Sequence, residues 1–505
     1  MKILLYNFVQ PDEPGQPGGG VTVYLRNLCS TLIASGHEVI LLSAGDRYTL
    51  FRRSVYLKIQ PGNPIRAIIF NSPVLAPSQS SFYHPSIYCS SSGLDAIPGD
   101  LKKEIGSIDV FHFHNIEGLT ASFFRAVRKT YPQARLVISA HNYNLVCPQV
   151  NLWRANKETC ENYNEGASCV TCLPTNDRRS KEVLIKRLQT PIKRWAHYSD
   201  GAFAQKIYAL VRSIFMMYRN TVLKNNANRI KDGGGDLEAA KAASYMMYRN
   251  ANVALSSDVF DKILAVSERT KWVLAHNGIP PHKIVVSYIG TRHFERSLTS
   301  KKNQGFNGFL HIAYLGYMRT DKGFYFFLDS LEQMPEQLAK CISVTIAAKF
   351  DDEDATLLRL NVLANKFHGF FIHNGYTQES LDSILADVHV GIVPVLWEDN
   401  LPQVSIELVC RGIPVLTSDR GGAREIASNK LFVFKSGSTE SFISKLSAIV
   451  DGKIHLSDFW AQPMRIYSME HHLAELMSHY APIKDDESRE QPVSSAMHLR
   501  PNLYV

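Results

Sequence analysis

The sequence predicts an α/β protein built of two doubly wound domains in tandem, facing each other across a cleft. Three observations carry this. Apolar runs of strand length alternate with stretches of helical periodicity. The alternation occurs twice, with a polar linker, TRHFERSLTSKKNQGFN, near 291–307. The first apolar run passes through a glycine-rich loop into the first helical stretch, which is how a βαβ unit begins.

The elements follow in order. KILLYNF (2–8) and EVILLS (38–43) are strands. Between them Val21, Tyr24, Leu25, Leu28, Leu32 and Ile33 recur at helical spacing, and Gly36 stops the helix. IDVFHFH (108–114) leads into a helix through Arg128, ARLVISAH (134–141) is a strand, DKILAVS (261–267) precedes a helix, and KIVVSYIG (283–290) follows. In the second series FLHIAYLG, ISVTIAA (342–348), a segment of KFHGFFIHNG, HVGIVPV, IPVLTS (413–418) and KLFVF (430–434) are strands. KGFYFFLDSLEQM and QESLDSILADV are helices. Open parallel sheets bind ligands beyond the carboxyl ends of their strands, so two facing sheets place a ligand between the domains.

The 505 residues suffice for two or three domains, at 45 % hydrophobic and 20 % charged. A net charge of +8 suits acidic substrates or anionic surfaces. The basic residues are spread along the chain and the cysteine spacing matches no common finger, which argues against nucleic acid. No uncharged apolar run reaches the roughly 20 residues that span a bilayer. MKILLYNFVQPDEPG lacks the apolar core and cleavage site of a signal peptide, so a cytoplasmic protein is expected. The stretch 176–250 reads as a helical insert broken by DGGGD (232–236), and its two MMYRN copies (216–220, 246–250) as chance similarity. Within it RRSKEVLIKRLQTPIKRWAHY (178–198) either lies on an anionic membrane or covers a core stripe. The polar end of the chain is expected to be disordered.

Three loops could carry chemistry. In PGQPGGGVTVYLRNL, Gly18, Gly19 and Gly20 precede a helix, whose free N–H groups suit a phosphate; the alternative is a mobile turn. In WEDNLPQVSIELVCRGIPVLTSDRGGAREI (397–426), Pro402 fits a first helical position, Asn400 a cap and Gly412 the residue past the end. Gln403, Glu407 and Arg411 then form one polar stripe. Glu407 is either half of an exposed ion pair with Arg411 or a carboxylate aimed into the cleft at sugar hydroxyls, with Asp399 reaching a second hydroxyl-bearing group. In GYMRTDKG (316–323), Arg319 and Lys322 suit a diphosphate, or are solvated charges. Separately, Cys147, Cys160, Cys169 and Cys172 follow C-x12-C-x8-C-x2-C, a donor set for structural zinc or a group of free thiols.

These motifs, with SAHNYNLVCP (139–148), AVSERTKWVLAHNGI (265–279), HNGYTQESLDSILADVHVGIVPVLWEDNLPQVSIELVCRGIPVL (373–416) and RGGAREI (420–426), resemble in order the retaining glycosyltransferases of family four, which have the GT-B fold of two Rossmann-like domains. The cysteine insertion is of a kind found in some members, and the surface-polysaccharide type is the nearest in character. The resemblance implies an acceptor-side domain over 1–295, with a cysteine-rich loop 145–175 and the insert 176–250. It implies a nucleotide-sugar domain over 305–457, a helix in 458–481 returning to the N-terminal domain, and a tail, 482–505. It implies that Lys322, and Arg319 with it, neutralise a leaving diphosphate that the Gly19–Gly20 backbone approaches from the opposite domain. Glu407 would bind the ribose, Asp399 the donor sugar, and Asn400, Leu401 and Pro402 would line sugar and phosphate. Gly375 and Tyr376 would lie near the base, and His141 by the reacting centre. No cofactor is needed for catalysis, because Lys and Arg do the electrostatic work of a metal. Two departures stand out: the family's first acid is usually glutamate, so Glu398 competes with Asp399, and Tyr317 replaces a frequent basic residue. The expected function is transfer of a hexose-type sugar from a nucleotide-sugar donor to a glycan or lipid-linked acceptor, at the inner face of the membrane. A nucleotide-sugar epimerase and a catalytically inactive relative are the alternatives.

Overall fold

A computed structural model of the chain describes residues 1–13, 19–78, 82, 84–173, 180, 182–189, 213, 235–299, 305, 306, 308–350, 355–426 and 429–481. Gly18, the first MMYRN copy, most of the 178–198 segment and the tail 482–505 lie outside the described residues.

The N-terminal half folds into strands β1 (Lys2–Tyr6), β2 (Glu38–Ala44), β3 (Tyr56–Gln60), β4 (Ile65–Phe70), β5 (Val110–Phe113) and β6 (Arg135–Ala140). A short hairpin, β7 (Trp153–Arg154) and β8 (Glu158–Thr159), precedes β9 (Lys262–Ala265) and β10 (Ile284–Val286). The main sheet runs β10-β9-β6-β5-β1-β2-β4-β3, parallel except for β3 at the edge. The hairpin of β3 and β4 around PGNP is not among the predicted strands. After β11 (Gly290–Thr291) the second half supplies β12 (Leu310–Gly316), β13 (Ile342–Ala348), β14 (Gly369–Asn374), β15 (Val390–Val393), β16 (Val415–Ser418) and β17 (Val433–Phe434). Their order is β14-β13-β12-β15-β16-β17, all parallel. Strands covered by helices on both faces bury every side chain, which is why β6 and β13 are buried throughout and read as unbroken apolar runs.

The chemistry-bearing loops leave the carboxyl ends of these strands. In the N-terminal sheet β1, β5, β6 and β9 end just before the glycine loop, His114, His141 and Ser267. In the C-terminal sheet β12, β15 and β16 end just before the Lys322 loop, Asp399 and Gly421. The two sets meet: Gln403 Nε2 donates to Gly20 O at 2.7 Å.

The chain crosses back to the N-terminal half through β18 (Tyr467–Ser468), parallel to β11, and the helix Met469–Tyr480. Three bonds fasten that helix. His472 Nε2 and Tyr24 Oη lie 2.7 Å apart, Tyr480 Oη and His112 Nδ1 2.6 Å, and Arg135 Nε donates to His479 O at 3.0 Å. They enclose a histidine cluster. The His114 ring stands 4.1 Å from that of His112, and its Nδ1 is 3.1 Å from His141 Nε2. Tyr24 packs against both His114 and His141.

Burial holds these imidazoles neutral. His112 and His114 titrate well below the ordinary range because of burial and then the neighbouring rings. Burial, then the charge on His472, pulls His141 down to about 3. Burial pulls His472 to about 4 against the opposing charge of Glu475, with His479 and His471 adding to the fall. The unfolded chain takes up protons on the same rings below about pH 6.5. Their contribution to stability is therefore complete above that pH and is lost as pH falls toward the folded values. The urea midpoint should drop between about pH 7 and about pH 5, and drop less steeply in His114→Gln. A midpoint unchanged over that range would contradict a neutral cluster.

Candidate functional site

The C-terminal wall of the cleft is a loop and a short helix. Trp397–Pro402 leads into the helix Gln403–Val409, which buries Ser405, Ile406, Leu408 and Val409. Gly412 lies just past its end, as the sequence predicts: at φ +75° it donates to Val409 O, and Ile413 N donates to Leu408 O. Pro402 stands one residue before the helix, and Asn400 does not cap it. The Asn400 amide spans the domain boundary instead. Its Nδ2 donates to Ala140 O at 3.2 Å, and the Asn400 backbone carbonyl accepts from Ser267 Oγ at 2.8 Å. The N-cap position is held by Pro402, two residues further on.

The three polar positions of the helix part company. Gln403 reaches Gly20. Glu407 accepts from Gln378 Nε2 at 2.7 Å. Arg411 donates to Asp382 Oδ1 at 2.9 Å and to the Glu407 backbone carbonyl at 3.0 Å. The Glu407–Arg411 surface ion pair is therefore not what forms. Burial raises the Glu407 carboxyl above the ordinary range, against the Gln378 hydrogen bond and the Arg411 charge. Tyr376, after the left-handed Gly375 (φ +76°), lies close enough to Glu407 that the carboxylate adds to the rise that burial causes in its phenol.

Lys322 Nζ lies 2.5 Å from Asp399 Oδ2 and 5.0 Å above the Trp397 ring. The loop that carries it turns at Gly323 (φ +75°), where a Cβ would come within 1.7 Å of Pro394 O, so only glycine fits. The Arg319 guanidinium forks onto Asp321, two residues away, Nε to Oδ1 at 2.9 Å and Nη2 to Oδ2 at 2.6 Å. Leu401 and Pro402 are buried beneath the site.

The N-terminal wall is formed by Gly19, Gly20 and His141. Gly19 has φ +60°, and a Cβ there would sit 3.8 Å from the Tyr317 hydroxyl. A Cβ on Gly20 would meet the Gln403 side chain at 2.8 Å. His141 is partly buried behind this loop, next to His114. The structure thus gathers Gly20, Gln403, Lys322 and Asp399 at the domain boundary, with Glu407 one helical turn further on. Arg319 is paired with Asp321 beside them in sequence.

His112, His114 and the glycine pair Gly421–Gly422 have roles here that the sequence does not assign, and the Glu398 side chain takes a partner it does not foresee. His112 and His114 alternate in VFHFH, and two histidines on one face of a buried strand are a legible signal. Gly421 and Gly422 cradle the loop: a Cβ on either would come within 2.2 Å of the Asp399 or Asn400 carbonyl oxygen. Glu398 turns away from Lys322, toward Arg269.

The four clustered cysteines lie around residues 147–172. Burial pushes Cys147 and Cys169 up to about 12, with the neighbouring Cys160 and Cys172 adding to each rise. The Cys172 thiol donates to Gln149 Oε1 at 2.9 Å and accepts from Ala155 N at 3.2 Å. Six non-glycine residues between Val150 and Glu165 adopt positive φ. Among the described residues no three His, Cys, Asp or Glu side chains are arranged to hold a metal ion. No described helix is long and apolar enough to cross a membrane. Of the basic segment, Lys186 pairs with Asp46 at 2.9 Å, while Leu184 and Leu188 are exposed.

Residues 310–451 match the family model for glycosyl transferases group 1, and residues 18–191 that for glycosyltransferase family 4. No curated protein matches the sequence. The fold is similar to that of OtsA in its apo form, at 11 % identity over 95 % of this chain and 99 % of that one, with a TM-score of 0.55. It is also similar to Anabaena HepE in complex with UDP (12 %, 95 % and 100 %, TM-score 0.52). Sucrose-phosphate synthase from Thermosynechococcus elongatus is a third (12 %, 95 % and 98 %, TM-score 0.51). These identities speak for the fold alone, and the family models speak for the chemistry of each half. The two matches together take in more than half of the chain, and from them and the paired parallel sheets it follows that the chain is a glycosyltransferase of the GT-B fold.

Proposed function

We propose that the chain moves a hexose-type sugar from a nucleotide-sugar donor to a glycan or lipid-linked acceptor, with retention of anomeric configuration, in the assembly of a surface polysaccharide. The observation that carries the donor reading is the Lys322–Asp399 contact beside the start of the Gln403–Val409 helix, with the glycine loop across from it. Cleavage of the sugar–phosphate bond leaves a diphosphate with an extra negative charge and a sugar of oxocarbenium character. Lys322 neutralises the diphosphate, and backbone N–H groups at the helix start and the Gly19–Gly20 turn approach it from both sides. Asp399 balances Lys322 before the donor arrives and afterwards accepts from sugar hydroxyls. Glu407, half-buried and held by Gln378, accepts from the ribose. The leaving phosphate oxygen then removes the acceptor proton on the face it has just vacated, which preserves configuration. His141, neutral at physiological pH, lines the acceptor side.

Lys322→Ala should lower kcat by a factor on the order of 100, because losing one such charge costs about 3 kcal/mol in the transition state. Glu407→Ala should act mainly on the donor KM, because the ribose contact is alike in ground and transition states. Release of UDP, GDP or ADP from the matching sugar conjugates measures both. Two variants as active as the parent would refute the donor reading.

We also propose, on the cysteine spacing, that Cys147, Cys160, Cys169 and Cys172 take up zinc and are drawn together by it. Elemental analysis should find about one zinc per chain, lost in Cys169→Ser/Cys172→Ser. Metal-free folded protein would remove the proposal.

A further inference from the structure

The loop after β15 carries two adjoining acids, and they serve different ends. Asp399 faces Lys322. Glu398, 2 % exposed, points into the other domain. Its Oε2 accepts from Arg269 Nε at 2.8 Å and its Oε1 from Arg269 Nη2 at 2.7 Å, a bidentate fork. Arg420 Nη1 adds a bond at 3.1 Å and Gly421 N one at 3.2 Å. Burial pushes the Glu398 carboxyl up, but Arg269 and then Arg420 outweigh it and hold it below the ordinary range. Arg269 sits in the first turn of the N-terminal domain's helix Glu268–His276, with its guanidinium 4.3 Å over Trp272.

The same turn is gripped twice more from the C-terminal domain. Glu425 accepts from the backbone N–H of Glu268 at 2.8 Å and of Arg269 at 2.7 Å. Ser267 Oγ donates to Asn400 O at 2.8 Å. Residues 267–270 therefore form a socket that receives residues 398–400. Consecutive Cα atoms are about 3.8 Å apart, so a shift of Glu398 carries Asp399 with it. A buried ion pair of this kind contributes little net stability, and fixing one geometry is its better-attested use.

We infer that Glu398 and Arg269 are a positioning pair: an ion pair across the domain boundary that sets where Asp399 and Asn400 stand against the acceptor side, and so sets turnover and not nucleotide affinity. The inference rests on the donor reading above.

The test uses the full chain with UDP, GDP, ADP and their glucose conjugates. Arg269→Met/Glu398→Met replaces the pair with packed apolar groups, a change that buried ion pairs tolerate. Arg269→Lys keeps the charge and removes the fork, and Glu398→Gln keeps the shape and removes the charge. The expected result is a nucleoside diphosphate Kd within about threefold of the parent, by calorimetry, with kcat lower by about 100-fold in the double variant. The single variants should fall in the same direction, and the double should be no worse than their combined effect. Parent-like kcat in the double variant overturns the inference, as does a loss of nucleotide affinity in step with kcat. If the double variant does not fold, Arg269→Lys decides by the same two readings. Lys322→Ala, run alongside, separates the levels. An active Lys322→Ala sinks the donor reading itself, whereas an impaired Lys322→Ala beside a parent-like double variant sinks only the positioning pair.

Discussion

The segment Trp397–Pro402 threads a passage with room for backbone and little else. Gly421 and Gly422 lie against its Asp399 and Asn400 carbonyls, and Gly422 N donates to Asp399 O at 2.8 Å. Any side chain at those glycines would collide with main chain, which cannot swing aside as a side chain can. On the other flank, Gly323 meets the Pro394 carbonyl in the same way. The lysine loop, the acid loop and the double glycine of RGGAREI are thus one packed unit. The ionic contacts of the site are a consequence of that steric fit.

Within that unit the electrostatics sort two neighbouring carboxylates. Glu398 lies at the centre of a tight turn, in which Asp399 N donates to Trp397 O at 2.8 Å, and the two carboxylates face different cations. Each has its own: Arg269 and Arg420 for Glu398, Lys322 for Asp399. The guanidinium fork goes where fixed geometry is required. The ammonium, a mobile point charge, goes where a ligand has to be accommodated. The same division explains why Tyr317 can stand in a position that a basic residue often fills. It faces Gly19 across the cleft, and the lysine five residues on supplies the charge.

Much of this was legible in the sequence. Parallel strands buried on both faces leave apolar runs such as ISVTIAA that are hard to misread. The Gly412 stop and the helix after Asp399 follow from local rules. The β3–β4 hairpin was legible too, because PGNP between YLKIQ and IRAIIF is a turn signal flanked by strand formers. What sequence could not show depends on partners distant in the chain. Asn400 stands two residues before the helix's N-cap position and donates to Ala140, 260 residues away. Glu398 and Asp399 are interchangeable by spacing and are told apart only by Arg269, from the other domain. Arg319 pairs with Asp321, two residues on, a contact that a local spacing rule could have anticipated.

The central claim is that the pinch between the two domains closes on a pyrophosphate, with Lys322 as the charge it meets. A crystal structure of the chain with a non-hydrolysable nucleotide-sugar tests this most directly. The account predicts that Lys322 Nζ exchanges Asp399 for a phosphate oxygen, that Asp399 turns to a sugar hydroxyl, and that the Glu398–Arg269 fork is unchanged. A diphosphate bound elsewhere, with the Lys322–Asp399 contact intact, would contradict it.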